Sequence, residues 1–226
     1  MGGWEDGRME NSPMTVNQRR IGLTGGIATG KTTVSHYLEQ AYHLPVLDAD
    51  VYARQGVEPG SPALGEIVQR YGKEILLPGG DLDRSHLGKI IFEDAAERQW
   101  LEALIHPWVR QCFQRDLAQH EEAIVVLAIP LLFETGYHLT PWVTETWVVY
   151  CSPQQQLDRL RERNGLSTPE AQARIDAQLS LREKCRLADV VLENTGSLKD
   201  LYTQVDRALA GHQARPESHP DFNFRG

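Results

Sequence analysis

The stretch LTGGIATGKTTV, residues 23–34, decides the fold. Within it Gly25-Gly26-Ile27-Ala28-Thr29-Gly30-Lys31-Thr32 fits the phosphate-binding pattern G-x-x-x-x-G-K-[ST]. An apolar run, RIGLT (20–24), precedes it. A helical stripe of Val34, Tyr37, Leu38 and Ala41 follows it. Between a strand and a helix, the glycines let the backbone wrap so that successive N–H groups face one concavity. The helix N-terminus adds partial positive charge there. Gly25, Gly26, Ile27, Ala28, Thr29, Gly30, Lys31, Thr32 and Thr33 are therefore the candidate nucleotide-binding residues. Lys31 is placed to reach the β- and γ-phosphates, and the Thr32 hydroxyl is the candidate Mg²⁺ ligand. The loop implies ATP or GTP. It does not say where the phosphate goes, since switches, motors and kinases share it.

Working outward, five Val/Ile/Leu-rich runs alternate with helical patterns: RIGLT (20–24), PVLDA (45–49), AIVVLAI (123–129), TWVVY (146–150) and DVVLE (189–193). Such runs are strands buried on both faces of a parallel sheet. Ser152-Pro153-Gln154-Gln155 reads as a capping box, and Ser197 with Asp200 starts the last helix. Residues 51–120 contain helical patterns and no strand, so they read as a helical insertion over the ligand crevice. The expected architecture is α/β: a P-loop core with a parallel five-stranded sheet flanked by helices, a helical substrate-binding insertion and a small lid over about 155–180. The domain is expected over 19–210. Residues 1–18 and 211–226, polar and aperiodic, are expected to be disordered, with Met14 as an alternative start.

Composition narrows the function. A net charge of −8 argues against nucleic-acid or anionic-membrane partners, but not against a small anionic ligand held by backbone N–H groups. No apolar run reaches the length of a membrane span, and the first residues lack a secretory h-region. Cys112, Cys151 and Cys185 are far apart and form no CxxC, which fits a reducing cytoplasm. There is no NKxD guanine signature, and the strand AIVVLAI ends in Ala128-Ile129-Pro130 rather than in a carboxylate. Both features weigh against GTPase and motor readings. Asp48 and Asp50, at the end of the second strand, fit two readings equally. One carboxylate there could take a proton from an attacking hydroxyl or orient a metal-bound water; alternatively the pair caps the helix that begins with VYARQ.

At this point a resemblance enters. LTGGIATGKTTV, LDADVYARQGVEPG (47–60), IHP (105–107), IPLLFETG (129–136), RNGLS (163–167) and LADVVLENTGS (187–197) are similar, in order and spacing, to the dephospho-CoA kinases. The similarity runs from about Arg20 to about Leu209. It implies transfer of the γ-phosphate of ATP to the ribose 3′-hydroxyl of dephospho-CoA, the last step of coenzyme A synthesis, with no obligatory protein partner. By this resemblance Asp50 is the general base and Asp48 is supporting or metal-linked. One departure is Ala28-Thr29, where Gly-Ser is common; both residues are small, so no steric block is expected.

Most of the remaining pieces keep two readings. Arg54 lies one turn after Asp50 on the same face, suited to a substrate phosphate. His106, read with Pro107 as opening a helix, either reaches the substrate or is structural. Leu131, Leu132 and Phe133 either wall the acceptor pocket or are core, and Glu134 ties down a substrate group or an arginine. Arg159 and Arg163 share a face of one helix that Arg161 does not; they are candidate catalytic lid arginines, or else a solvated face. Asn194, after the last strand, either lies near adenine or only makes a turn.

Overall fold

The protein is described here by a computed structural model that covers residues 18–211. The expectations for 1–17 and 212–226 lie outside the described residues. Five strands, β1 (Arg19–Gly25), β2 (Val46–Asp48), β3 (Ile124–Ala128), β4 (Glu145–Tyr150) and β5 (Val190–Glu193), form one sheet in the order β2-β3-β1-β4-β5. Every pairing is parallel. Each strand coincides with one of the five apolar runs, because burial on both faces selects an unbroken apolar sequence.

Side chains alternate between the two faces. Ile21, Leu23, Val126, Trp147 and Val149 pack on one side with α1 (Lys31–Tyr42) and α9 (Leu198–Leu209). Val125, Leu127, Val148 and Val191 pack on the other, against α5 (Ala95–Leu117) and α8 (Leu181–Leu187). The predicted caps form: Ser152 and Gln155 start α6 (Pro153–Asn164), and Ser197 and Asp200 start α9. Gln18 is buried, and its amide donates to the carbonyls of His120 and Glu122, which fastens the entry of β1 to the loop before β3.

Between β2 and β3 lie α2 (Ala49–Gln55), α3 (Pro62–Tyr71), α4 (Arg84–Glu93) and α5. Their only β pairing is an isolated bridge, Leu76 to Leu82. Val57, Leu64, Ile67, Ile75, Leu82, Leu87 and Leu101 give this segment a core of its own. The expectation that His106-Pro107 opens a helix is corrected. Both residues lie inside the 23-residue α5. Proline in a helix interior removes one hydrogen bond, and tertiary contact holds the helix through it. Trp108 Nε1 donates to the Tyr52 carbonyl at 3.0 Å and its ring lies on Gly56 at the end of α2.

Beyond β4, α6 and α7 (Thr168–Asp176) form a hairpin joined at Gly165, whose φ of 63° closes α6 in the left-handed conformation. In the order 2-3-1-4-5, connections leave β1 and β3 in opposite directions. The carboxyl ends of those two strands therefore flank the topological switch point, where parallel sheets bind ligands.

Candidate active site

A cavity of about 810 Å³ opens at this switch point. Its floor is the loop Gly25–Gly30 with Lys31, Thr32 and Thr33; one wall carries Ala49, Asp50 and Ala53, and another Ile129, Pro130 and Leu131. Three strand ends thus contribute, which a sequence cannot bring together without the sheet order. The insertion adds Ile91, Leu101, Glu102, Ile105, His106 and Val109. The hairpin adds Arg159 and Arg163.

The loop takes the conformation its glycines allow. Gly30 has φ 103°, a region closed to most side chains. A Cβ there would strike the side-chain amide of Asn194, which donates to the Thr29 carbonyl at 2.8 Å. Gly30→Ala is therefore expected to lose about 2–3 kcal/mol, from left-handed strain and a lost buried hydrogen bond together. Thermal unfolding and nucleotide titration check this; unchanged values for both would contradict it. Ala28 also lies at positive φ, 62°. The alanine holds about 1–2 kcal/mol of backbone strain that glycine would not.

The structure separates the two aspartates. The strand stops at Asp48, so Asp50 lies not on a continuing strand but in the first turn of α2. Asp48 is the N-cap: its Oδ1 accepts from the Asp50 backbone N–H at 2.7 Å. Its Oδ2 lies 3.5 Å from Lys31 Nζ. Asp50 does not cap the helix and is among the residues that line the cavity. The group is open to cavity water but crowded on its other sides by protein. This crowding raises its pKa above the usual carboxylate value; Asp48 raises it further, while Lys31 and Arg54 pull it down.

Other sequence candidates separate into cavity residues and supports. His106, Leu131, Arg159 and Arg163 line the cavity, whereas Arg54, Leu132, Phe133, Glu134 and Asn194 are not among its walls. Arg54 is exposed outside it. Leu132 is fully buried against Gly22, where a Cβ would come within 3.1 Å of it. Phe133 is core. Glu134 pairs with Lys184, at 2.9 Å. Asn194 lies beneath the loop as a strut. Arg159 donates through Nη2 to the Asn194 carbonyl at 3.0 Å, and its buried Nη1 has no hydrogen-bond partner. Sequence reasoning missed Lys184, Gln156 and Gln178. The last two grip one residue of the loop at both its backbone groups: Gln156 donates to the Ile27 carbonyl at 2.8 Å, and Gln178 accepts from the Ile27 N–H at 2.9 Å. No local pattern marks these two glutamines, because their partner is more than a hundred positions away.

The sequence profile described as Dephospho-CoA kinase matches residues 19–200. The chain belongs to the dephospho-CoA kinase family. The Dephospho-CoA kinase of Trichormus variabilis is 59% identical to this kinase over 194 residues, covering 86% of this chain and 98% of the relative. Among solved structures, a Thermus thermophilus protein superposes with a TM-score of 0.72 at 36% identity, over 86% of this chain and 98% of the other. The Campylobacter jejuni dephospho-CoA kinase superposes with a TM-score of 0.61 at 26% identity, over 86% and 96%. The kinase has no helix, among the described residues, long and apolar enough to cross a membrane.

Proposed function

We propose that this kinase transfers the γ-phosphate of ATP to the ribose 3′-hydroxyl of dephospho-CoA, with Asp50 as the general base. The observation that carries this reading is Asp50 itself. It is a carboxylate without a hydrogen bond among the described residues, held in the same cavity as the phosphate loop, with a pKa raised toward the range useful for proton transfer. The loop N–H groups and Lys31 hold the triphosphate. His106 and Leu131 face the acceptor, and Arg159 and Arg163 approach the phosphates from the hairpin, where they stabilise transition-state charge and exclude water. We read Arg54 as meeting an outer phosphate of the acceptor at the cavity rim.

The donor set suits Mg²⁺. Thr32 is exposed at the loop, and the nearby carboxylates supply further hard oxygens. No cluster of three or more His, Cys, Asp or Glu fit to hold a metal occurs among the described residues, so Thr32, a carboxylate, water and the phosphates themselves would hold the ion, which neutralises phosphate charge when bound. The three buried, unpaired cysteines support a cytoplasmic setting.

The test is ADP release from Mg-ATP with dephospho-CoA and with a panel of nucleosides and nucleotides, the product weighed for one added phosphate. Dephospho-CoA alone is expected to stimulate release and to yield CoA; stimulation only by another acceptor overturns the reading. A pH series adds a second check. Ionised Asp50 is the active form, so kcat/KM is expected to fall on the acid side with an apparent pKa above the ordinary carboxylate value. In Asp48→Asn, which keeps the cap but removes the like charge, that limb moves to lower pH. A limb that stays in place contradicts the coupling.

A further inference from the structure

Lys184, in α8, has no solvent exposure. An ammonium buried in this way is costly unless every proton is paired. Lys184 Nζ has three protons and three acceptors: the Gly25 carbonyl at 3.2 Å, the Pro130 carbonyl at 3.2 Å and Glu134 Oε1 at 2.9 Å. These acceptors are not on one element. Gly25 ends β1 and begins the phosphate loop. Pro130 follows β3 and begins the opposite wall, and both residues line the cavity.

β1 and β3 are neighbours, paired as far as Leu23 and Ala128. Their last backbone bond runs from the Ile129 N–H to the Leu23 carbonyl. Beyond it the two chains part to open the cavity, and side chains take over from the ladder. Thr24 Oγ1 donates to the Pro130 carbonyl at 2.9 Å, and Lys184 binds that carbonyl together with Gly25. The same lysine is tied to the hairpin. Glu134 Oε1 also accepts from the Leu179 N–H, in the turn between α7 and α8, beside the Gln178 that holds Ile27.

We propose that Lys184 is a positioning residue for phosphoryl transfer. It fixes the separation between the donor loop and the acceptor wall and ties both to the base of the α6–α7 hairpin. The proposal rests on the reading of the cavity as a kinase site. Phosphoryl transfer depends on alignment, and a misplacement of 1 Å costs on the order of 10²-fold in rate. A lysine that touches no substrate can therefore control the rate.

The test compares wild type with Lys184→Met, which keeps the length and loses the three donors. Expected for the folded variant is a kcat lower by about 10–100-fold, KM values for ATP and dephospho-CoA within about threefold, and more ADP released than CoA formed, as water replaces a misaligned acceptor. Without substrates, hydrogen exchange is expected to quicken at Gly25–Gly30 and Leu131–Phe133 and to stay unchanged in α9. If Lys184→Met does not fold, Glu134→Gln replaces it: the amide still accepts from Leu179 but loses the charge, and the same pattern is expected. A folded variant with kcat within twofold of wild type, or with unchanged exchange at both segments, overturns the proposal. Wild-type turnover of dephospho-CoA in the same assay reports on the function itself. The exchange comparison needs no substrate, so failure of one reading is distinguishable from failure of the other.

Discussion

Asp50→Asn is expected to lower kcat for transfer by about 10²–10⁴-fold while raising thermal stability at neutral pH. The two effects share one cause. Asp50 makes no hydrogen bond or ion pair through its carboxylate among the described residues, and crowding with the Asp48 charge raises its pKa. A carboxylate whose pKa is higher in the folded state than in the unfolded one holds more protons when folded. Stability therefore falls as pH rises from the ordinary value toward the raised one, and the loss is complete above it. Asparagine keeps the shape and removes the charge, so the variant gains at pH 7. The gain disappears below the unfolded pKa, where both states of the wild type are protonated. The cap of α2 uses the backbone N–H of residue 50 and survives. ATP affinity is expected to stay within about threefold, since a base positioned on the acceptor contributes only in the transition state. Rapid-mix kinetics, ATP titration and melting curves at several pH values check this. Near-normal kcat would remove Asp50 from the role of base; a lower melting temperature at pH 7 would show that its charge stabilises the fold.

Lys31→Met is expected to lower kcat/KM for ATP by about 10²–10³-fold, the usual cost of one preorganised donor to developing charge. Its stability effect is expected to be small, about 1 kcal/mol or less, because the pair with Asp48 is partly exposed and 3.5 Å long. The variant carries a second signature. Lys31 holds the Asp50 pKa down, so its removal moves the acid limb of the residual activity to higher pH, opposite to the shift expected for Asp48→Asn. Loss of activity without that shift would separate the lysine from the aspartate and confine it to phosphate binding.

The aspartates also show how far local sequence reaches. Both aspartates stood at the end of the second strand, yet the chain turns into α2 between them. One caps and one is free, a difference set by a single residue at a strand end. His106-Pro107 illustrates the reverse error. Proline suggested a helix start, and Trp108 packed on Gly56 carried the helix through it.

The sequence by itself determined the five strands, the phosphate loop, the cap positions and the helical insertion. Each rests on short-range causes: apolar runs, glycine freedom and side-chain oxygens three residues from the N–H they cap. It also carried the resemblance that led to the family. Tertiary structure alone decided which candidates reach the cavity. Arg159 and Arg163 arrive there, Leu132 and Phe133 turn into the core, and Glu134 takes a buried lysine as partner. Lys184 looks in sequence like one more charge in the polar helix LREKCRL. Its three acceptors lie 159, 54 and 50 positions earlier in the chain, and only the parallel crossovers that place β1 beside β3 under α8 bring them within reach of one ammonium.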